Sequence, residues 1–149
     1  MRSAAVIACA ALIMSSPTFA MTEDDCKAAW TKADVNGDNV LTDAEATRYL
    51  ASVRIANGSV ADTTRITDAE YMALCKADVF ATAAPEEGAP FAGANSFTEA
   101  QAKDRIAASG YLNVSALMLD PEGIWRGNAE LDGKPVRIAV DYKGNVVAN

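Results

Sequence analysis

The sequence contains no histidine, the side chain that most often serves as a general base and a common ligand of zinc. Mechanisms in which an imidazole activates a nucleophile are therefore excluded, as are His-ligated zinc, haem or copper sites. Basic residues are also few, 13 Lys plus Arg against 20 Asp plus Glu, which gives a formal charge of −7. A chain with so little positive charge is a poor nucleic-acid binder, because phosphates require a basic face. The excess of carboxylates over basic side chains favours binding of a hard cation instead.

Long apolar runs are limited to the first twenty residues. A short positively charged start precedes an apolar run at 4–14, and small residues stand at Thr18 and Ala20. This pattern is typical of a signal peptide, and the run is shorter than the about 20 residues that span a bilayer. We predict a signal peptide over 1–20, cleaved after Ala20, and a periplasmic or secreted protein with no transmembrane segment in the mature chain. A lipoprotein box ending at Cys9 is the less favoured alternative, since only eight residues precede it.

Cysteine is scarce, with three in the chain and one of them inside the predicted signal peptide. Cys26 and Cys75 remain as an even pair in an oxidising compartment, which favours a disulfide between them. Such a bridge would close a loop of about 50 residues and stabilise the fold by up to roughly 4 kcal/mol in the chain-entropy model. Two buried free thiols are the alternative.

The most informative pattern is DVNGDNVLTDAE at residues 34–45, here called the 34–45 loop. Oxygen-bearing side chains occupy its positions 1, 3, 5, 9 and 12, and an apolar residue occupies position 8. Ca²⁺ prefers six to eight oxygen ligands, which alternate residues of a tightly coiled loop can supply. The predicted ligands are the side chains of four residues and one backbone carbonyl: Asp34, Asn36, Asp38, Val40 (carbonyl) and Glu45. Thr42 would act directly or through water.

This spacing resembles the EF-hand calcium loop. Thr22 and Asp25 predict a helix start before the loop, and Trp30 stands where EF-hands usually carry a large aromatic residue. Asn39 departs from the usual glycine at position 6, although asparagine also tolerates the left-handed backbone region. The resemblance covers about residues 22–105 and implies helices on both sides of the loop. The alternative is a surface turn followed by a helix-capping sequence.

EF-hands usually occur in pairs, so we expect a second copy. The sequence KADV at the start of the 34–45 loop recurs 44 residues later, and LTDAEA recurs as FTEAQA 56 residues later. These repeats predict a degenerate second loop at about 78–101, with Gln101 in place of the closing glutamate and no calcium bound. Phe97 is expected to pair with Leu41 across a short β-bridge. Alternatively these are ordinary helix starts, since ITDAE at 66–70 shows the same capping pattern.

The last forty residues alternate between apolar and polar with period two, after a predicted helix at 99–109. The predicted strands lie at 114–119, 124–131, 135–142 and 146–148, with a hairpin turn at Asp132 and Gly133. This segment is similar to the small PepSY-type domains of exported bacterial proteins, which are associated with protease inhibition and envelope regulation. The resemblance implies a PepSY-like domain at 98–149 that shares the helix 99–109 with an EF-hand-like domain at 21–109.

Together these patterns predict an α+β fold, in which an EF-hand-like helical pair precedes a helix packed on a small antiparallel β-meander. No convincing catalytic constellation is present, and acidic residues at turns (Asp120, Glu122, Asp132 and Asp141) are expected to be solvated. The favoured function is a non-enzymatic, exported calcium-binding protein, in which Ca²⁺ acts in structure or in presenting a surface to an envelope protein partner. The alternative is a protein-binding or protease-inhibitor-like PepSY-type envelope module with only structural calcium.

Overall fold

The computed structural model describes residues 21–149, so the predicted signal peptide and its cleavage site lie outside the described residues. The fold is α+β, as predicted, with four helices and six strands in the described part of the chain. The elements are α1 (Glu23–Ala33), β1 (Val40–Thr42), α2 (Asp43–Ile55), β2 (Arg65–Thr67), α3 (Asp68–Lys76), α4 (Glu99–Ala108), β3 (Met118–Leu119), β4 (Trp125–Leu131), β5 (Lys134–Val140) and β6 (Val146–Ala148). No helix within 21–149 is long and apolar enough to cross a membrane.

The first three helices and the two-stranded sheet form one unit, here called the helical half (residues 22–76). β1 and β2 pair antiparallel with Leu41 opposite Ile66, and neither side chain is exposed. Beside this pair Tyr71 contacts the rings of Trp30 and Tyr49, each with ring centroids 5.1 Å apart. Edge-to-face packing of this kind suits buried aromatic rings and adds to the free energy of burying their surface.

The predicted disulfide is confirmed. Cys26 on α1 and Cys75 on α3 are bonded, with 5.9 Å between their Cα atoms, and both are fully buried. The bridge joins the first and third helices across 49 residues of sequence. The predicted start of α1 is also confirmed, because Thr22 and Asp25 form a reciprocal capping box.

The strand that pairs with the 34–45 loop is not the predicted one. Leu41 lies opposite Ile66, whereas Phe97 lies outside every strand. Residues 77–98, here called the connection, take the place of the predicted second loop at about 78–101 and are irregular. Phe97 belongs to the other half of the molecule, because its carbonyl accepts the indole N–H of Trp125. The short link between α2 and β2 makes the local pairing the cheaper one in chain entropy.

The remaining chain forms the sheet half (residues 99–149), an antiparallel meander in the order β3-β4-β5-β6. Ala102 and Ile106 of α4 pack on Ile138 and Val140 of β5, as expected for a helix on a meander. The last strand matches its predicted bounds, whereas β3 is shorter than the predicted strand at 114–119. The residues before β3 instead form separate backbone bonds to β4.

Helix α4 contacts both halves of the molecule. Its Ala107 and Ala108 form a small buried cluster with Ala51 of α2. Arg54 of α2 donates to the Asp104 carboxylate, with the closest nitrogen and oxygen 2.6 Å apart. The small side chains of this cluster allow α2 and α4 to approach closely, and this contact joins the sheet half to the helical half.

Candidate metal centre

The 34–45 loop is a tight coil held between two helices. α1 ends at the residue before it, and the last residues of the loop form β1 and the start of α2. Three of its residues have positive φ, 72° at Gly37, 63° at Asn39 and 46° at Asp43. Asparagine is one of the few residues that adopts this region at modest cost, so its place at position 6 is compatible with the turn.

The carboxylate of Asp34 lies inside this coil. Its Oδ1 accepts the backbone N–H groups of Gly37 at 2.8 Å and Asp38 at 3.2 Å. Its Oδ2 accepts the N–H of Asn39 at 3.1 Å. Backbone groups thus fold around position 1 of the loop and hold its two oxygens in a fixed place.

Asn36 and Asp38 lie next to each other on the same coil. The Asn36 amide nitrogen donates to Oδ2 of Asp38 at 3.1 Å, and the Asn36 amide oxygen accepts the Asp38 N–H at 2.9 Å. The other Asp38 oxygen accepts the N–H of Val40, the first residue of β1. Two short polar side chains from alternate loop positions are therefore adjacent, as the spacing predicts.

Glu45 reaches back from the first turn of α2 to the start of the loop. Its Oε1 accepts the N–H groups of Val35 at 3.0 Å and Asn36 at 3.2 Å. Its Oε2 is buried and has no hydrogen-bond partner among residues 21–149. A buried carboxylate oxygen without a donor is costly, so this atom calls for a cation or another donor.

The structure therefore brings the predicted ligands to one loop, although not as a closed cage of acidic side chains. Within residues 21–149, no three His, Cys, Asp or Glu side chains converge on a common point. In the 34–45 loop the predicted donors are two aspartates, one amide, one backbone carbonyl and a glutamate whose Oε1 accepts two backbone N–H groups. The donor set consists of oxygen alone, which fits a hard cation such as Ca²⁺ and not zinc or copper.

A related loop at 59–70 precedes α3 and was missed by sequence reasoning. Glu70 Oε1 accepts the N–H of Ala61 at 2.8 Å, nine residues earlier, which is the spacing between Glu45 and Asn36. Glu70 Oε2 accepts the N–H and hydroxyl of Thr67 at 3.0 and 2.7 Å. The hydrogen bond from the Ala61 N–H lowers the pKa of Glu70 most, and the bonds from Thr67 lower it further. The pKa of Glu70 therefore lies below its ordinary value.

The 59–70 loop lacks the ligands of the 34–45 loop. The positions equivalent to Asp34, Asn36 and Asp38 are Ser59, Ala61 and Thr63, none of which carries a charge. Hydrogen bonds close this loop in place of an ion. The signal that locates it is the repeat of LTDAE as ITDAE 25 residues later, which is a better match than the repeat at Phe97.

Asp141 is a second residue that sequence reasoning placed wrongly. Glu122 and Asp132 are exposed as expected, but Asp141 has no exposed surface. Its oxygens accept the N–H of Phe91 at 3.0 Å and both the backbone and amide N–H groups of Asn145. Burial by itself raises the pKa of Asp141, but these donors outweigh it and the pKa lies below its ordinary value. These hydrogen bonds hold the connection against the turn between β5 and β6.

Comparison of the chain with known protein families, with curated proteins and with solved structures finds no match in any of the three. The resemblances to EF-hands and to PepSY-type domains therefore rest on this chain's own residues. The geometry of the 34–45 loop is the basis on which a function is proposed.

Proposed function

We propose that this protein is an exported, non-enzymatic calcium-binding protein, in which the 34–45 loop holds a single Ca²⁺. The observation that carries the proposal is Glu45 Oε2 at the closing position of the loop, a buried carboxylate oxygen without a partner in the part of the chain that the structure describes. The same loop carries the side-chain oxygens of Asp34, Asn36 and Asp38, which backbone N–H groups hold in place. A hard cation would satisfy Oε2 and offset the repulsion among three carboxylates.

Calcium at this position would join the end of α1 to the start of α2. Glu45 belongs to α2, whereas Asp34 directly follows α1, so an ion shared by both would fix the angle between these helices. Three carboxylates and one amide make a site of moderate charge, which favours a dissociation constant on the order of 10⁻⁵ to 10⁻³ M. Calcium is commonly plentiful outside the cytosol, and such a site fills there.

Export is supported by the disulfide between Cys26 and Cys75, since such bonds persist in oxidising compartments. The predicted signal peptide over 1–20 agrees with this location. In the helical half, calcium would join α1 to α2 while the disulfide joins α1 to α3, so the ion would serve mainly to order and stabilise this half. A surface ordered in this way would be available to a protein partner in the envelope.

The proposal is tested by the thermal stability of residues 21–149 with and without calcium. At free calcium 100-fold above the dissociation constant, binding adds about 2.7 kcal/mol to the free energy of unfolding. We expect Glu45→Gln to remove most of this gain, because it takes away the closing carboxylate. Asp43→Asn is the matched control, since it makes the same change of charge two residues earlier on an exposed side chain.

Differential scanning calorimetry in calcium and in a chelator gives both melting temperatures for each variant. The proposal fails if the wild-type protein melts at the same temperature in both solutions. It also fails if Glu45→Gln keeps the full calcium-dependent rise that Asp43→Asn shows.

A further inference from the structure

A cleft of about 1110 Å³ lies between the helical half and the sheet half. Its walls come from the C-terminal end of α2, the connection, the C-terminal part of α4 and strand β6. The lining includes Ala84, Arg105, Gly144, Val146 and Ala148. The volume slightly exceeds the usual range of ligand sites, and such sites often lie where two structural units meet.

Strand β6 is the free edge of the four-stranded sheet, and it lines this cleft. Arg137 and Asn149 exchange both backbone hydrogen bonds, and Val147 lies opposite Ala139 in the same ladder. In an antiparallel ladder the bonded pairs alternate, so the N–H and C=O groups of Val146 and Ala148 point away from β5. An open edge of this kind is a template for another extended chain.

Arg105 stands beside the start of this edge. Its guanidinium lies 4.2 Å from the centre of the Phe97 ring on one side. On the other side it lies against Gly144, where an added Cβ would come within 3.1 Å of it. Its Nε is buried without a partner, and within residues 21–149 its charge forms no salt bridge. The structure thus holds an uncompensated positive charge in place at one end of an open strand.

We propose that the cleft binds the C-terminal end of an extended peptide, which pairs with β6 as a fifth strand and places its terminal carboxylate on Arg105. Backbone hydrogen bonds to Val146 and Ala148 would supply affinity, and the guanidinium would recognise the chain end. Because Arg105 lies at Gly144, before the first residue of β6, the peptide runs antiparallel to β6. Small apolar residues such as Ala84 line the cleft, which favours apolar side chains on the facing positions of the peptide.

The test uses immobilised residues 21–149 and two synthetic pools of random hexapeptides, one with free C-terminal carboxylates and one with C-terminal amides. Bound peptides are quantified by mass spectrometry, in calcium and in a chelator. We expect about tenfold greater retention of the free-carboxylate pool, because a guanidinium bonds a charged carboxylate more strongly than a neutral amide. The expectation is the same in both solutions, so its failure is independent of the calcium proposal. Equal retention of the two pools, or none, overturns the inference.

Two variants separate the carboxylate contact from the strand contact. Arg105→Gln should bring the ratio of the two pools to about one, while Arg137→Gln, an exposed arginine of β5 outside the cleft, should leave it unchanged. Ala148→Pro removes an outward N–H without removing a ladder bond, so it should abolish retention of both pools with little change in melting temperature. Full retention by a folded Ala148→Pro protein also overturns the inference.

Discussion

Glu45 and Glu70 occupy equivalent positions in two related loops, but their oxygens are satisfied differently. Both accept a backbone N–H nine residues earlier through Oε1. Glu70 Oε2 is completed by Thr67, whereas Glu45 Oε2 has no partner because Thr42 makes no side-chain cap for α2. One carboxylate oxygen therefore separates a loop closed by hydrogen bonds from one that we expect to need a cation.

At the residue scale, Asp141→Asn tests the buried carboxylate of the sheet half. In the wild type, N–H donors point at both carboxylate oxygens of Asp141, whereas in the variant one of these oxygens is replaced by an amide NH₂ group that cannot accept them. We therefore expect a loss of about 2 kcal/mol in the free energy of unfolding at pH 7. The pKa of Asp141 is lowered in the folded protein, so its contribution is present above the ordinary value of 3.8 and is lost as the pH falls through the folded pKa. The difference between variant and wild type should therefore shrink below about pH 4.

Urea unfolding between pH 2.5 and pH 7 measures this difference. Asp132→Asn is the control, because it changes an exposed carboxylate in the turn between β4 and β5. A penalty for Asp141→Asn that stays constant down to pH 2.5 would contradict the assignment of the effect to its ionised form.

At the element scale, the pairing of β1 with β2 links the two loops. Ile66→Ala removes a fully buried side chain opposite Leu41, and we expect a loss of about 3 kcal/mol in the free energy of unfolding. Because β1 carries Val40 and fixes the end of the 34–45 loop, calcium affinity should fall as well. Phe97→Ala, at the position first predicted to pair with Leu41, should leave calcium affinity unchanged. Titration of both variants with calcium decides between the two pairings. A loss of calcium affinity in Phe97→Ala alone would contradict the pairing of Leu41 with Ile66.

The disulfide also acts at the element scale, since it ties α1 to α3. A double Cys26→Ser and Cys75→Ser variant should lose up to about 4 kcal/mol in the free energy of unfolding, because the unfolded chain regains the freedom of a closed loop of about 50 residues. Urea unfolding of the double variant against the oxidised wild type measures the loss. Equal midpoints for the two proteins would show that the bridge does not contribute stability.

At the scale of the whole molecule, the sequence was most informative where short patterns decide structure. The capping pair Thr22 and Asp25, the turn at Asp132 and the alternation over β4 to β6 all act locally, and each feature is found where it was predicted. The pairing of Cys26 with Cys75 was predictable at long range, because only one pairing is open to the two cysteines that follow the predicted signal peptide.

The choice of partner for β1 was not decided by local pattern. Leu41, Ile66 and Phe97 each precede a threonine at the N-cap position of a helix, so three segments carry the same signal in the sequence. The fold selects among them through the short link before β2 and through the contacts that hold Phe97 beside Arg105 and Trp125. Asp141 was misplaced for a similar reason, since its burial comes from the connection about 50 residues earlier.

Isothermal titration calorimetry of calcium into chelator-treated residues 21–149 is the most direct test of the proposed calcium binding. We expect one Ca²⁺ per chain, with a dissociation constant on the order of 10⁻⁵ to 10⁻³ M. The stoichiometry should stay at one in a Glu70→Gln variant, because the positions of the 59–70 loop equivalent to Asp34, Asn36 and Asp38 carry no charge. Absence of binding heat in the wild-type protein, confirmed at a second temperature, would contradict a calcium site in the 34–45 loop, and two ions per chain would contradict its being the single one.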